Sequence, residues 1–156
     1  MRAHHLLMAL ALAFFSGCDS GGETDTGNAS CAEFSFRSGG MITADVDGQP
    51  LRSDCYNTFV ESGLTHITGY EIGASETDLR TPITIVIGGT TEGTYRIGDG
   101  SDPSTIQISV GDASDERAES GVIQVTEYSA ARLRGTFSFV TSSGVSVSDG
   151  TFDVAP

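Results

Sequence analysis

Apolar and polar residues alternate along most of the chain after residue 40. Ile83, Ile85 and Ile87 are separated by Thr84 and Val86. The same alternation recurs at residues 106–110 (IQISV) and 133–139 (LRGTFSF). A period of two places every second side chain on the same face of a β-strand. The pattern therefore predicts strands with one buried face, and no stretch shows sustained helical spacing.

Short turn signals separate these runs. Asp-Gly, Gly-Gly and Ser-Gly pairs supply the positive φ angles that tight hairpin turns and bulges require. They stand at positions 47–48, 88–89, 99–100, 111–112 (Gly-Asp), 143–144 and 149–150. The predicted strands are residues 33–36, 42–46, 51–60, 65–72, 83–87, 94–97, 106–110, 122–127, 132–140 and 145–154, the last with a bulge at Gly150.

Strands of this length joined by glycine turns are typical of architectures that bury one face of every strand. We predict an all-β fold, an antiparallel β-sandwich or small barrel of about eight to ten short strands. The charged stretch 112–120 is predicted to be a loop or at most one helical turn, because it is short and ends at Gly121.

The N-terminus has the character of an export signal. A single positive charge at Arg2 precedes an apolar run from Leu6 to Phe15, which is about half of the roughly 20 residues that a membrane-spanning helix needs. The following Phe15-Ser16-Gly17-Cys18 resembles the lipobox of bacterial lipoprotein signal peptides. That resemblance implies that residues 1–17 are removed and that Cys18 carries the lipid. A retained membrane helix and a non-lipidated secreted protein are the alternatives.

The sequence after residue 17 divides into a linker and a domain. Residues 18–30 hold the lipidated cysteine and a Gly-, Ser- and Thr-rich stretch without large apolar side chains, which predicts a flexible linker. Residues 31–156 have the usual length of one domain. We expect this all-β domain to stand in the periplasm or at the cell surface, held at the inner or outer membrane by the lipid.

The number of cysteines agrees with a location of the domain outside the cytosol. If Cys18 is lipidated, Cys31 and Cys55 are the remaining thiols, and beyond the cytoplasmic membrane such a pair most simply forms a disulfide. The alternative is two separate reduced thiols.

Charge narrows the choice of partners. The chain contains no Lys, and without residues 1–17 it has 7 Arg against 21 acidic residues, a formal charge of −14. Such a charge repels nucleic acid and anionic lipid headgroups, so we expect no nucleic-acid partner. The acidic surface is either a contact surface or an adaptation for solubility.

Several segments resemble an uncharacterised family of bacterial lipoprotein domains found in the Bacteroidetes and their relatives. They are residues 42–51 (ITADVDGQPL), 93–98 (GTYRIG), 135–139 (GTFSF) and 145–152 (VSVSDGTF). The matching positions are turn glycines and alternating apolar residues, so the resemblance implies the fold and brings no catalytic residue.

Catalytic motifs are absent from the sequence. It has no Gly-x-Ser-x-Gly elbow, no phosphate-binding loop with Lys, no His-Glu-x-x-His and no Cys-x-x-Cys. His66 falls in a predicted strand and is expected to face solvent or to be hydrogen-bonded. We expect no cofactor. Calcium is the only metal for which the sequence offers candidate ligands, and they are weak ones. Asp99 and Asp102 lie in one predicted turn, and Asp112 and Asp115 lie in another.

Two classes of function follow. We favour a non-enzymatic envelope lipoprotein that presents its loops or a sheet face to a protein, a glycan or a small molecule. The alternative is a carboxylate-based hydrolase or carbohydrate-active domain, in which Asp45 with Asp47, or Glu119 with Glu127, would have to lie roughly 5 to 10 Å apart in a cleft.

Overall fold

A computed structural model of the protein describes residues 30–53, 55–72, 79–109 and 116–156. These residues form ten strands, and every strand pair is antiparallel. None of the helical turns in this part of the chain is long and apolar enough to cross a membrane. The strands are β1 (Met41–Val46), β2 (Gln49–Ser53), β3 (Cys55–Glu61), β4 (Leu64–Ile72), β5 (Leu79–Ile87), β6 (Gly93–Ile97), β7 (Thr105–Ile108), β8 (Glu116–Tyr128), β9 (Leu133–Thr141) and β10 (Ser146–Val154).

The strands form one sheet that curls into a nearly closed barrel. Their order is β2-β1-β10-β9-β8-β7-β5-β4-β3, and β6 pairs with β8. β2 and β3 follow each other in the chain but lie at opposite ends of this path. Because β2 also contacts β4 and β5, the two ends of the sheet meet. The predicted all-β antiparallel fold is confirmed in its barrel form.

The inward-facing residues supply one apolar core. β9 alternates strictly between buried and exposed residues from Leu133 to Thr141, and the alternating isoleucines of β5 and β7 are fully buried, as predicted. Complete burial of one such side chain contributes about 1.5 to 3 kcal/mol. The largest fully buried side chains are Phe152, Ile42, Ile67, Ile83, Ile85, Ile87, Ile106, Ile108, Ile123, Leu133, Val125 and Val147.

Strand β8 is longer than the sequence indicates. It pairs with β9 along one side, while its other side pairs with β7 at Glu116 and Arg117 and with β6 from Gly121 onward. The prediction of a loop was therefore wrong for residues 116–120, while residues 112–115 lie outside the described residues. Within 116–120 only Ala118 is buried, so the strand is specified by its neighbours rather than by its own alternation.

The prediction of a first strand at residues 33–36 is also wrong. Cys31–Phe34 form a short 3₁₀ helix instead. The Glu33 carboxylate accepts a hydrogen bond of 2.7 Å from the Ser30 backbone N–H, which closes the turn. Strand-like pairing begins only at Arg37, whose backbone exchanges two hydrogen bonds with Tyr56.

The predicted strand 51–60 is two strands. Ser53 still pairs with Ile42, whereas Cys55 already pairs with Tyr70 at the far end of the sheet. No Gly or Pro marks this change of direction, so the sequence carried no signal for it. The turn at Asp47-Gly48 and the register shift before Gly150 are as predicted.

Candidate binding surface

The outer surface of β3, β4, β5 and β7 carries Phe59, the one aromatic side chain that is exposed among the described residues, and half-buried rings beside it. We call this surface the aromatic face. It consists of two ring clusters, one of Phe59 with His66 and one of Phe34, Phe36 and Tyr70, with a row of uncharged polar side chains between them.

Phe59 and His66 form the first cluster. They are opposite each other on β3 and β4, with ring centroids 4.4 Å apart and ring planes 6° apart. The two rings are therefore stacked face to face. This spacing is close to the distance of about 5 Å between the Cβ atoms of directly opposite residues on adjacent strands. β3 is the last strand of the path, and Phe59 remains 47% exposed.

The second cluster lies at the other end of β4. Tyr70 stacks on Phe36 with centroids 3.8 Å apart, and Phe36 stacks on Phe34 at 5.8 Å. A disulfide between Cys31 and Cys55, as predicted, holds the 3₁₀ helix against β3. Because Cys55 pairs with Tyr70, this bond fixes Phe34 and Phe36 beside the tyrosine. Cys18 lies outside the described residues.

A row of four neutral polar residues crosses the face between the clusters. Cross-strand pairing aligns Asn57 on β3 with Thr68 on β4, then Thr84 on β5 and Gln107 on β7. At a strand spacing of about 4.8 Å, the row is about 14 Å long. His66 and Tyr70 are four residues apart on the same face of β4, so the ring clusters are separated by about 13 Å.

An open pocket of about 550 Å³ lies beside the β6–β7 loop. There the Asp102 carboxylate accepts backbone hydrogen bonds from Arg96 at 2.6 Å and Ser104 at 2.9 Å. Burial raises the pKa of Asp102, but the hydrogen bonds from Ser104 and Arg96 outweigh it, so the pKa lies below its ordinary value. Asp99 accepts bonds from the Ser101 hydroxyl and backbone N–H, which lower its pKa as well.

These contacts weaken the calcium hypothesis. Oδ1 of Asp99 and both carboxylate oxygens of Asp102 already accept hydrogen bonds that shape the loop. Asp112 and Asp115 lie outside the described residues. In the described part of the chain, no group of three or more His, Cys, Asp or Glu side chains could hold a metal ion.

A second pocket, of about 390 Å³, lies beside an ion-pair cluster near the end of β10. Arg132 donates two hydrogen bonds to the two carboxylate oxygens of Asp153, and Arg134 donates two more to one of them. The Arg132 hydrogen bonds, followed by those from Arg134, hold the pKa of Asp153 far below its ordinary value despite partial burial. The cluster ties β9 to β10 and leaves no free carboxylate for acid–base work.

The predicted carboxylate pairs have structural partners. Asp45 accepts a hydrogen bond from the Gly48 backbone N–H, and Asp47 accepts one from the Ser146 backbone N–H. Glu119 and Glu127 are eight residues apart along β8, a separation of about 26 Å in an extended strand. The Glu119–Glu127 separation therefore exceeds the roughly 5 to 10 Å that the hydrolase needs.

Sequence reasoning placed His66 on a strand but did not identify the aromatic face. Phe59 and Val60 stand next to each other in the chain and are both about half exposed, which breaks the alternation expected of a half-buried strand. The signal available in the sequence was the pair of adjacent apolar residues, Phe59 and Val60, where alternation allows one. The contribution of Phe36 depends on the 3₁₀ helix at Cys31–Phe34, where a strand was predicted; the disulfide itself was predicted, but not the rings that it brings to Tyr70.

Comparison with known families gives one match. Residues 39–156 match the model of a family described as a domain of unknown function (DUF6252). No curated protein and no solved structure matches the chain significantly.

Proposed function

We propose that this chain, which belongs to the DUF6252 family of unknown function, is a non-enzymatic binding module of the bacterial cell envelope. In this proposal, the barrel is held near a membrane by lipid on Cys18 and binds its ligand on the aromatic face. The proposal covers both the location and the activity, and each has its own test.

The aromatic face carries the proposal of binding. Phe59 is 47% exposed and stacks on the His66 ring at the surface, although the barrel has an extensive apolar core. Large apolar side chains grouped on a surface typically mark a site of interaction. Aromatic rings are rigid and lose little conformational entropy when they are covered, which makes them effective contact residues.

The N-terminal sequence supports the location. The apolar run 6–15, the small residues before Cys18 and the polar stretch that follows have the order of a lipoprotein leader and its linker. Acyl chains contribute about 0.8 kcal/mol per buried methylene, so two or three of them hold a domain on a bilayer. We propose that the thirteen residues from Cys18 to Ser30 serve as a flexible tether with a reach of about 20 Å.

Mass spectrometry of the native protein tests the anchor. We expect the N-terminus to be Cys18 with acyl chains attached, and a Cys18→Ala variant to leave the membrane fraction. An intact Met1, or an unmodified thiol at position 18, would contradict this part of the proposal.

Recovery from envelope extract tests the binding. The soluble domain starting at Ala29 is immobilised, and bound material is compared between the wild type and Phe59→Ala, with Val140→Ala as the control at an exposed apolar position on another strand. We expect one component to be retained by the wild type and the control and lost with Phe59→Ala. Turnover in a panel of glycan and ester substrates would instead favour the hydrolase.

A further inference from the structure

We infer that the ligand of the aromatic face is a neutral glycan, bound as an extended chain across β3, β4, β5 and β7. This inference rests on the proposed binding function and names the chemical class of the ligand. Three properties of the face support a neutral glycan as the ligand. They are its charge, its polar row and the position of its aromatic clusters on either side of that row.

Charge excludes polyanions as ligands. Residues 31–156 contain 7 Arg and 18 acidic residues, a formal charge of −11, so nucleic acid and acidic polysaccharides would approach against a repulsive potential. The row from Asn57 to Gln107 has no ionised side chain; the first charged residue in its register is Arg117 on β8, opposite Gln107. A ligand lying along the row would therefore meet amides and hydroxyls and no opposite charge.

The polar row matches a polyhydroxyl chain. Thr68 and Thr84 each offer a hydroxyl that both donates and accepts, and Asn57 and Gln107 each offer an amide with a donor and an acceptor. Because the four are in cross-strand register, the groups repeat at about 4.8 Å. Sugar hydroxyls also both donate and accept, so every group in the row can be satisfied by the same type of partner.

The aromatic clusters suit sugar rings better than a protein surface. A pyranose ring has an apolar side of C–H groups, which packs against the electron-rich face of an aromatic ring. Phe59, which is 47% exposed, flanks the polar row on one side and the Phe36–Tyr70 stack flanks it on the other, about 13 Å away along β4. A stable protein interface buries about 800 Å² on each partner with an apolar centre, whereas the centre of this face is the polar row.

Affinity electrophoresis of the full-length protein in detergent tests the inference. The native gels contain laminarin, dextran or galactomannan as neutral polymers, or polygalacturonate as the anionic one. We expect at least one neutral polymer to retard the wild type and polygalacturonate to have no effect. Phe59→Ala should weaken the retardation at least tenfold, Thr68→Val should weaken it a few-fold, and Val140→Ala should leave it unchanged.

Matched variants separate lost binding from lost folding. Phe59→Tyr keeps the ring and should keep the binding, and the unfolding temperature of each variant is measured alongside. Absence of retardation by every neutral polymer, equal retardation by polygalacturonate, or equal effects of Phe59→Ala and Val140→Ala would each overturn the inference. Retention of a protein from envelope extract that depends on Phe59, without any glycan binding, would overturn the glycan while leaving the binding function in place.

Discussion

The ring of Phe152 lies directly against Gly135, its partner on the neighbouring strand. A Cβ atom at position 135 would stand 2.3 Å from Phe152 Cζ and 2.3 Å from the Gln124 backbone oxygen. Phe152 is fully buried in the core, so it has no free space to move into. The fit of this ring therefore requires glycine at position 135.

We expect Gly135→Ala to lower the free energy of unfolding by about 1 to 3 kcal/mol, the usual cost of overpacking a core. Urea unfolding followed by circular dichroism measures it. Gly100→Ala is the control, because a Cβ atom at position 100 meets no other atom within 4 Å. Equal stability of the two variants would contradict the packing seen around Phe152.

Removal of the disulfide should destabilise the barrel and loosen the second ring cluster. The Cys31–Cys55 bond closes a loop with a sequence separation of 24 residues, which contributes about 3 kcal/mol in the chain-entropy description. We expect the Cys31→Ala/Cys55→Ala double variant to melt at a lower temperature and to become insensitive to reductant. An unchanged melting temperature of the wild type in reductant would be the contrary result.

Asp153 should stabilise the folded protein through its ionised carboxylate, so its contribution should be lost at strongly acidic pH. Its folded-state pKa is lowered by Arg132 and then Arg134, so the contribution is complete above the unfolded pKa of about 3.9 and is lost as the pH falls through the folded value. The pair is more than a third exposed, so Asp153→Asn should cost only about 1 kcal/mol at pH 7.

A pH series of unfolding experiments checks this prediction. The difference between wild type and Asp153→Asn should shrink below about pH 3.5, where the wild-type carboxylate begins to lose its advantage. Asp149→Asn is the matched control on the same strand, since Asp149 makes no ion pair with any described residue. A difference that stays constant down to pH 2 would show that Asp153 acts by something other than its charge.

Excess calcium should leave the melting temperature within about a degree of its value in chelator, since a ligand raises it only by binding the folded state. The reason is structural for Asp99 and Asp102, whose carboxylates accept hydrogen bonds from their own loop. Differential scanning calorimetry measures the effect. A rise of several degrees that chelator reverses would restore the calcium hypothesis and direct attention to Asp112 and Asp115.

The sequence predicted those parts of the fold that each segment specifies for itself. Ile83, Ile85 and Ile87 alternate within one strand, and Asp47-Gly48 adopts positive φ at both turn positions, so a local pattern was sufficient there. Glu116–Ser120 were misjudged because their strand conformation comes from pairing with Thr141 and Val140. The aromatic face was not predicted for a similar reason, because it joins Phe36 and Tyr70 across a contact that no local pattern specifies.

The pairing of β1 with β10 bears on when the protein can fold. Met41 pairs with Asp153, 112 positions later in the chain, and β1 is also the strand that pairs with β2. A sheet with such long-range pairing closes slowly, because the whole intervening chain must be ordered first. A nascent chain therefore cannot complete the barrel until β10 has been synthesised, and in the export that we propose this delay would keep the chain open while it crosses the membrane.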